Sequence, residues 1–92
     1  MATADIFVVN LLPHRQARFG LDAASVDAIR PGIVHATLTG YGLDGPETWR
    51  PGYDVTAFFG RSGLYDAQRE GDGPPPQART AQGDHTTGMA MT

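Results

Sequence analysis

Apolar and polar positions in the first part of the chain predict a strand that is followed by a helix. The β-branched and aromatic run Ile6–Val9, with Asn10 after it and Pro13 closing it, is typical of a buried strand that ends in a loop. Apolar residues then recur near helical spacing over Ala23–Ile29, where Asp22 is a candidate N-cap. We therefore expect one strand, a loop and one short helix over this region.

A second β-branched run covers residues 33–39, directly after the stop signal of Pro31 and Gly32. It is continuous enough to predict a strand buried on both faces, as in a parallel sheet. Strand, helix and strand in this order form a βαβ unit with a right-handed crossover. The predicted fold class is therefore α/β.

The second half of the chain is richer in turn residues. Residues 41–52 are dense in Gly and Pro and predict a loop, which Trp49 would anchor. Residues 53–65 have apolar residues at roughly helical intervals, with Asp54 as a candidate cap and Gly60 and Gly63 weakening the helix. Residues 66–80 are polar, contain three consecutive prolines and predict a loop or extended arm. The segment GDHTTGMAMT then predicts a helix with Asp84 at its N-cap.

Composition excludes several classes of function. The chain has 92 residues, enough for one domain at most, and a formal net charge of −3 without a basic stripe, so nucleic-acid binding has no support. It has no cysteine, and His14, His35 and His85 are too scattered for a local metal motif. The apolar runs are too short for a membrane span and no leader pattern follows Met1, so we expect a cytoplasmic protein without a metal.

Ordered segments along nearly the whole chain carry a resemblance to a known family. The segments are ADIFVVNLLP, RFGLD, IRPGIVHATLTGYGLDGP, RPGYDVTAFFGRSGL and GDHTTG. Their order and spacing resemble the class III CoA-transferases of the CaiB/BaiF type, which include formyl-CoA transferase, carnitine CoA-transferase and α-methylacyl-CoA racemase. The resemblance implies that residues 1–92 are a fragment of the N-terminal, CoA-binding large domain, with a partial Rossmann-like parallel sheet and flanking helices.

The same resemblance implies an activity and a set of site residues. It implies transfer of CoA between carboxylic acids, with Asp84 as the nucleophile that carries an aspartyl-CoA intermediate. Asn10, Arg18 and Tyr41 match family positions that contact CoA. The implied partners are an acyl-CoA and a small carboxylic acid, and the full-length family implies a homodimer. Taken without the resemblance, Asp84 is an ordinary N-cap, Asn10 a turn residue, Arg18 a solvated arginine and Tyr41 a packing residue.

Two other functions stay open at this point. One is an acyl-CoA racemase or epimerase of the same family; Tyr53 stands where the racemases carry a histidine base, and a tyrosine with a pKa near 10 is a poor base for an α-proton. His85, beside Asp84, is the one residue that would favour proton transfer, but adjacent residues on a helix point in different directions, so a solvated or capping role is the alternative. The other is a non-catalytic remnant or CoA-binding piece, because a sheet of two or three parallel strands cannot have both faces covered and its unpaired edges invite association.

Overall fold

A computed structural model of the chain describes residues 3–76 and 81–92. The chain divides into two compact units, Met1–Pro51 and Gly52–Thr92, which are described separately. None of the helices in the described ranges is long and apolar enough to cross a membrane.

The first unit contains two parallel strands and two helices. In chain order they are β1 (Ile6–Val9), α1 (Pro13–Phe19), α2 (Ala23–Ile29) and β2 (Val34–Thr37). The strands pair in the register Ile6↔Val34, Phe7↔His35, Val8↔Ala36 and Val9↔Thr37. The α/β class with a parallel sheet and flanking helices is thereby confirmed, and β1 and α2 have the predicted bounds.

Helix α2 forms where its local signals predict it. The carboxylate of Asp22 accepts the backbone N–H of Ser25 at 3.1 Å and the Ser25 hydroxyl at 2.7 Å, which satisfies an otherwise unpaired donor of the first turn. These hydrogen bonds lower the pKa of the Asp22 carboxyl from its usual 3.8. Val26 is fully buried and fixes the inner face of the helix.

Helix α1 lies where a loop was predicted, so that prediction is wrong. Pro13 occupies the first helical turn, where its missing N–H has no partner to lose and its fixed φ favours the helix. Gly20 ends the helix in the left-handed conformation with φ 64°. Gln16 is buried within α1, and its side-chain amide donates to the Leu11 carbonyl at 2.7 Å.

The two strands are less covered than their apolar sequences predicted. Val9 is buried, but Val8 is 58% exposed and Val34 is 57% exposed. Strand β2 is also shorter than predicted, although the hydrogen bond from Leu38 N–H to the Val9 carbonyl, 2.9 Å long, continues the pairing by one step. The expectation of strands buried on both faces is therefore wrong for these residues.

The turn-rich segment after β2 is a loop, as predicted, but Trp49 does not anchor it by burial. Its side chain is 61% exposed, and the Arg50 guanidinium lies 5.4 Å from the centre of its ring.

The second unit is helical. A π-helical turn (Asp54–Phe58) leads into α3 (Phe59–Ser62), Gly63 breaks the helix with φ 80°, and α4 (Leu64–Ala67) follows. This agrees with the predicted helix and with its weakness at Gly63. Phe59 is the buried centre of the unit and its ring contacts the rings of Phe58 and Tyr65, at 5.2 and 5.3 Å between centroids.

The last helix, α5 (Gln82–Ala90), follows the proline-containing segment. Residues 71–76 have no helix or strand, as predicted, whereas Asp66 and Ala67 belong to α4 rather than to the predicted loop. The rest of that prediction, residues 77–80, lies outside the described residues. Helix α5 packs against the π-helical turn through Gly83, which is buried.

Candidate functional site

Asn10 and Tyr41 follow neighbouring strands at their carboxyl ends. Asn10 comes directly after β1 and is exposed, and Tyr41 follows β2 after a short connection and is half-buried. Because β1 and β2 are parallel and Val9 pairs with Thr37, both segments leave the sheet at the same edge. Open α/β sheets bind ligands at this edge.

Arg18 lies further from the strand ends along the chain. It is in the last turn of α1, about 7.5 Å along the helix axis from Pro13 at 1.5 Å per residue. Its side chain is exposed, and its guanidinium carbon lies 5.8 Å from the centre of the Phe19 ring. His14 and Arg15 are exposed in the first turn of the same helix.

Asp84 is the third residue of α5 and is exposed. The N-cap of α5 is Ala81, with φ 68°, so the prediction that Asp84 is the N-cap is wrong. A carboxylate in the first helical turn is still favoured there by the positive end of the helix dipole. Within residues 3–76 and 81–92, the hydrogen bond that joins Asp84 to another side chain is made by its backbone N–H and not by its carboxylate.

Asp54 holds the backbone of Asp84. One carboxylate oxygen of Asp54, Oδ1, accepts the Asp84 backbone N–H at 3.2 Å. Its other oxygen, Oδ2, is buried and has no hydrogen-bond partner in the described part of the chain. The prediction that Asp54 caps its own helix is wrong, because Tyr53 is the N-cap there and no side chain caps that end. Sequence reasoning missed this contact because the two residues are 30 positions apart and no local pattern joins them.

Gly83 makes the close approach of Asp54 to α5 possible. A Cβ atom on Gly83 would lie 2.6 Å from the Phe58 Cβ and 2.7 Å from the Phe58 Cγ, and closer still to the Asp54 Oδ1. Gly83 does not have a left-handed φ, so the glycine is required by space and not by backbone conformation. This accounts for the glycine that precedes Asp84.

The two residues considered for proton transfer lie on either side of this contact in the sequence. Tyr53 is exposed and supplies the N-cap of the π-helical turn through its backbone carbonyl, which accepts the Ala57 N–H at 2.8 Å. His85 is exposed in α5, one position after Asp84.

The candidate residues fall in both units of the chain. Asn10, Arg18 and Tyr41 belong to the first unit, and Asp84 with its neighbours belongs to the second.

Metal-ligating side chains do not gather at either place. Among residues 3–76 and 81–92, no group of three or more His, Cys, Asp or Glu side chains is arranged to hold a metal ion. The candidate functional groups are the exposed Asp84 carboxylate in the first turn of α5 and the Asn10 and Tyr41 side chains at the sheet edge.

Comparison with protein families and solved structures gives one consistent result. The family model for CoA-transferase family III matches residues 1–92. A CAIB/BAIF family protein from Brucella suis superposes with a TM-score of 0.83 at 34% sequence identity, covering 97% of this chain and 23% of that chain.

The curated relatives described next are also named CoA-transferases. The chain is 38% identical over 91 residues to cinnamoyl-CoA:phenyllactate CoA-transferase of Clostridium sporogenes, covering 99% of this chain and 22% of that protein. It is 38% identical over 88 residues to succinyl-CoA:glutarate CoA-transferase of Mus musculus, covering 96% of this chain and 20% of that protein. The chain therefore spans about a fifth of the length of these relatives.

Proposed function

Since the chain belongs to CoA-transferase family III, we propose that the protein transfers CoA between carboxylic acids and that Asp84 is its nucleophile. The observation that carries the proposal is the exposed Asp84 carboxylate in the first turn of α5, inside a segment that the family model matches. Within the described residues the Asp84 carboxylate oxygens have no competing hydrogen bond, since the contact with Asp54 uses the backbone N–H.

The proposed reaction has four steps. A carboxylate oxygen of Asp84 attacks the thioester carbonyl of an acyl-CoA, the C–S bond breaks, and a mixed anhydride forms with release of the CoA thiolate. The thiolate attacks the aspartyl carbon of the anhydride, which gives an aspartyl-CoA thioester and releases the first acid as its carboxylate. The acceptor carboxylate then attacks this thioester and again releases the thiolate. Thiolate attack on the acceptor's acyl carbon gives the new acyl-CoA and restores the Asp84 carboxylate, with no net gain or loss of a proton.

The sheet edge supplies the proposed CoA contacts. Asn10 and Tyr41 leave the sheet together at the carboxyl ends of parallel strands, where open α/β sheets bind ligands. The Asn10 amide offers a donor and an acceptor, and the Tyr41 ring offers an aromatic surface. Arg18 is the proposed phosphate contact, because a guanidinium pairs with phosphate oxygens through two parallel hydrogen bonds.

The proposed substrates are an acyl-CoA and a small carboxylic acid. Relatives are named for succinyl-CoA with glutarate and for cinnamoyl-CoA with phenyllactate, so both aliphatic and aromatic acids belong in the test panel. We propose that the protein works as a homodimer, which rests on the family resemblance, and that it is cytoplasmic, which rests on the composition of the sequence. Tyr53 disfavours the racemase alternative, because it stands where the racemases carry a histidine base.

The test compares Asp84→Ala with the wild type in the native polypeptide that carries this sequence. The assay follows CoA transfer from succinyl-CoA to glutarate and from cinnamoyl-CoA to phenyllactate, together with mass spectrometry of the peptide that contains residue 84. We expect a CoA adduct on Asp84 in the wild type and a loss of transfer of about a thousandfold or more in the variant. Asp66→Ala, which removes another exposed carboxylate from the second unit, is the matched control.

Unchanged transfer by Asp84→Ala would rule out this nucleophile. Exchange of the α-proton of the acyl group for deuterium, without any transfer of CoA, would instead support the racemase.

A further inference from the structure

Helix α5 begins without the side chain that usually caps such a helix. The N-cap side chain of a typical helix accepts the N–H of the second or third helical residue. Here the N-cap is Ala81, whose methyl group accepts no hydrogen bond, and Asp84 is the third helical residue. The Asp84 N–H is bound instead by Asp54 Oδ1, at 3.2 Å. Asp54 therefore replaces the missing cap from another helical segment.

The Asp54 carboxylate lies at the starts of two helical segments. It is the first residue of the π-helical turn and, through its contact with Asp84, it also meets the first turn of α5. The unpaired N–H groups at a helix start carry partial positive charge, so both segments favour a negative charge at this point. Asp54 Oδ2 is buried without a hydrogen-bond partner among the described residues. The partial positive charge at the two helix starts helps to offset the cost of burying this oxygen.

Close packing leaves little freedom for this contact. Gly83 is buried against Phe58 and Asp54, with no space for even one additional carbon atom. Phe58 presents its Cβ, which moves only when the backbone moves, and its Cγ, which moves only when χ1 changes. The backbone of Gly83 and Asp84 is thus held against the segment that starts with Asp54.

We propose that Asp54 is a positioning residue for Asp84: it caps α5 by accepting the Asp84 backbone N–H and so leaves the Asp84 carboxylate free and fixed in place. Capping by Asp54 matters because an aspartate that caps its own helix uses one carboxylate oxygen to accept a backbone N–H, and that oxygen is then less available to react. The proposal rests on the role of Asp84 in the proposed function, and it adds a residue that does not itself touch the substrate.

The experiment compares Asp54→Ala, Asp54→Asn and the control Asp66→Ala in the native full-length polypeptide. One measurement is hydrogen exchange at the Asp84 amide, resolved by NMR, which needs no substrate. The other is the pair of constants kcat and KM for transfer from succinyl-CoA to glutarate and from cinnamoyl-CoA to phenyllactate.

Asp54→Ala should accelerate exchange at the Asp84 amide by about tenfold and lower kcat by about 10-fold to 100-fold, with KM for acyl-CoA changed less than threefold, because a misplaced nucleophile slows chemistry more than binding. Asp54→Asn keeps an oxygen that can accept the Asp84 N–H, so it should restore part of the exchange protection and part of kcat. Asp66→Ala should match the wild type in every measurement.

Unchanged exchange at the Asp84 amide in Asp54→Ala would overturn the proposal whether or not the protein transfers CoA. Faster exchange with unchanged kcat would overturn the positioning role while Asp84 remains the nucleophile. If Asp84→Ala retains full transfer, the proposed nucleophile has failed and the positioning role falls with it, although the exchange measurement still decides whether Asp54 caps α5.

Discussion

Replacement of Gly83 by alanine tests the tight contact at the start of α5. A Cβ atom at this position would approach the Phe58 Cβ to 2.6 Å and the Phe58 Cγ to 2.7 Å. Carbon atoms in contact lie about 3.5–4.0 Å apart, so the overlap is roughly 1 Å. The Phe58 Cβ is bonded directly to the backbone, so no side-chain rotation moves it aside. We therefore expect α5 to shift away from the π-helical turn.

The cost follows from two opposing effects. Overpacking of a close contact costs about 1–3 kcal/mol. Alanine is favoured over glycine inside a helix by about 0.8–1.0 kcal/mol, which offsets part of that cost. Gly88→Ala is the matched control, because Gly88 is in the same helix and nothing lies within 4 Å of its Cβ position. The difference between the two variants should therefore be about 1–3 kcal/mol, and Gly88→Ala should be neutral or stabilising.

Hydrogen exchange of the α5 amides measures this difference. Under conditions where exchange reports the local opening equilibrium, 1–3 kcal/mol corresponds to exchange about 5-fold to 150-fold faster in Gly83→Ala than in Gly88→Ala. Equal protection of α5 in the two variants would refute the close packing of Gly83. It would also remove the argument that Asp54 and Phe58 hold the Gly83 backbone.

Three further predictions concern the first unit and the isolated polypeptide. The pKa of Asp22 is lower in the folded state than in the unfolded chain, so its carboxylate should stabilise the fold above pH 3.8 and lose this effect as the pH falls through the folded pKa. In urea unfolding from pH 6 to pH 2, Asp22→Ala should therefore lose less stability on acidification than the wild type. Gln16→Leu should destabilise the folded state by about 0.5–1.5 kcal/mol, because it removes the hydrogen bond that the buried Gln16 amide donates to the Leu11 carbonyl, and urea unfolding measures this cost. A polypeptide of these residues alone should self-associate in sedimentation velocity and melt with little cooperativity, because Val8 and other strand side chains are exposed; a monodisperse monomer with a sharp melt would contradict this.

Helices α1 and α2 both have local sequence signals, but only α2 was predicted from them. Helix α2 was predicted at its observed bounds because its cap, Asp22, and its partner, Ser25, are three residues apart in the sequence. Helix α1 was missed although it has local signals, Pro13 in its first turn and Gly20 at its end, because the proline was interpreted as a loop residue.

Exposure of the strands could not be predicted from their sequences. The apolar runs of β1 and β2 are typical of a sheet covered on both faces, and a sequence pattern describes the surroundings for which a strand is suited rather than those that these residues provide. Val8 and Val34 are accordingly exposed here although their sequence pattern predicts burial.

Only part of the candidate site could be predicted from the sequence. The matched segments placed Asn10 and Tyr41 after the strands, and the parallel pairing of the strands brings those segments to one edge of the sheet. The role of Asp54 could not be predicted, because its hydrogen bond to Asp84 spans 30 residues and depends on the packing of α5.

The two interpretations of Asp84 that the sequence left open, a structural residue and a nucleophile, predict different effects of its replacement. As a purely structural residue, an exposed acid in the first turn of a helix contributes about 0.3–1 kcal/mol through the helix dipole, and here it contributes no capping hydrogen bond. Replacing it should therefore change the stability of α5 only slightly, since the cap is supplied by Asp54 and the packing by Gly83. If Asp84 is the nucleophile, its replacement should cause a large loss of activity and little change in folding. Because these two effects are carried by different residues, a loss of CoA transfer in Asp84→Ala with α5 still protected from exchange is evidence for chemistry and not for misfolding.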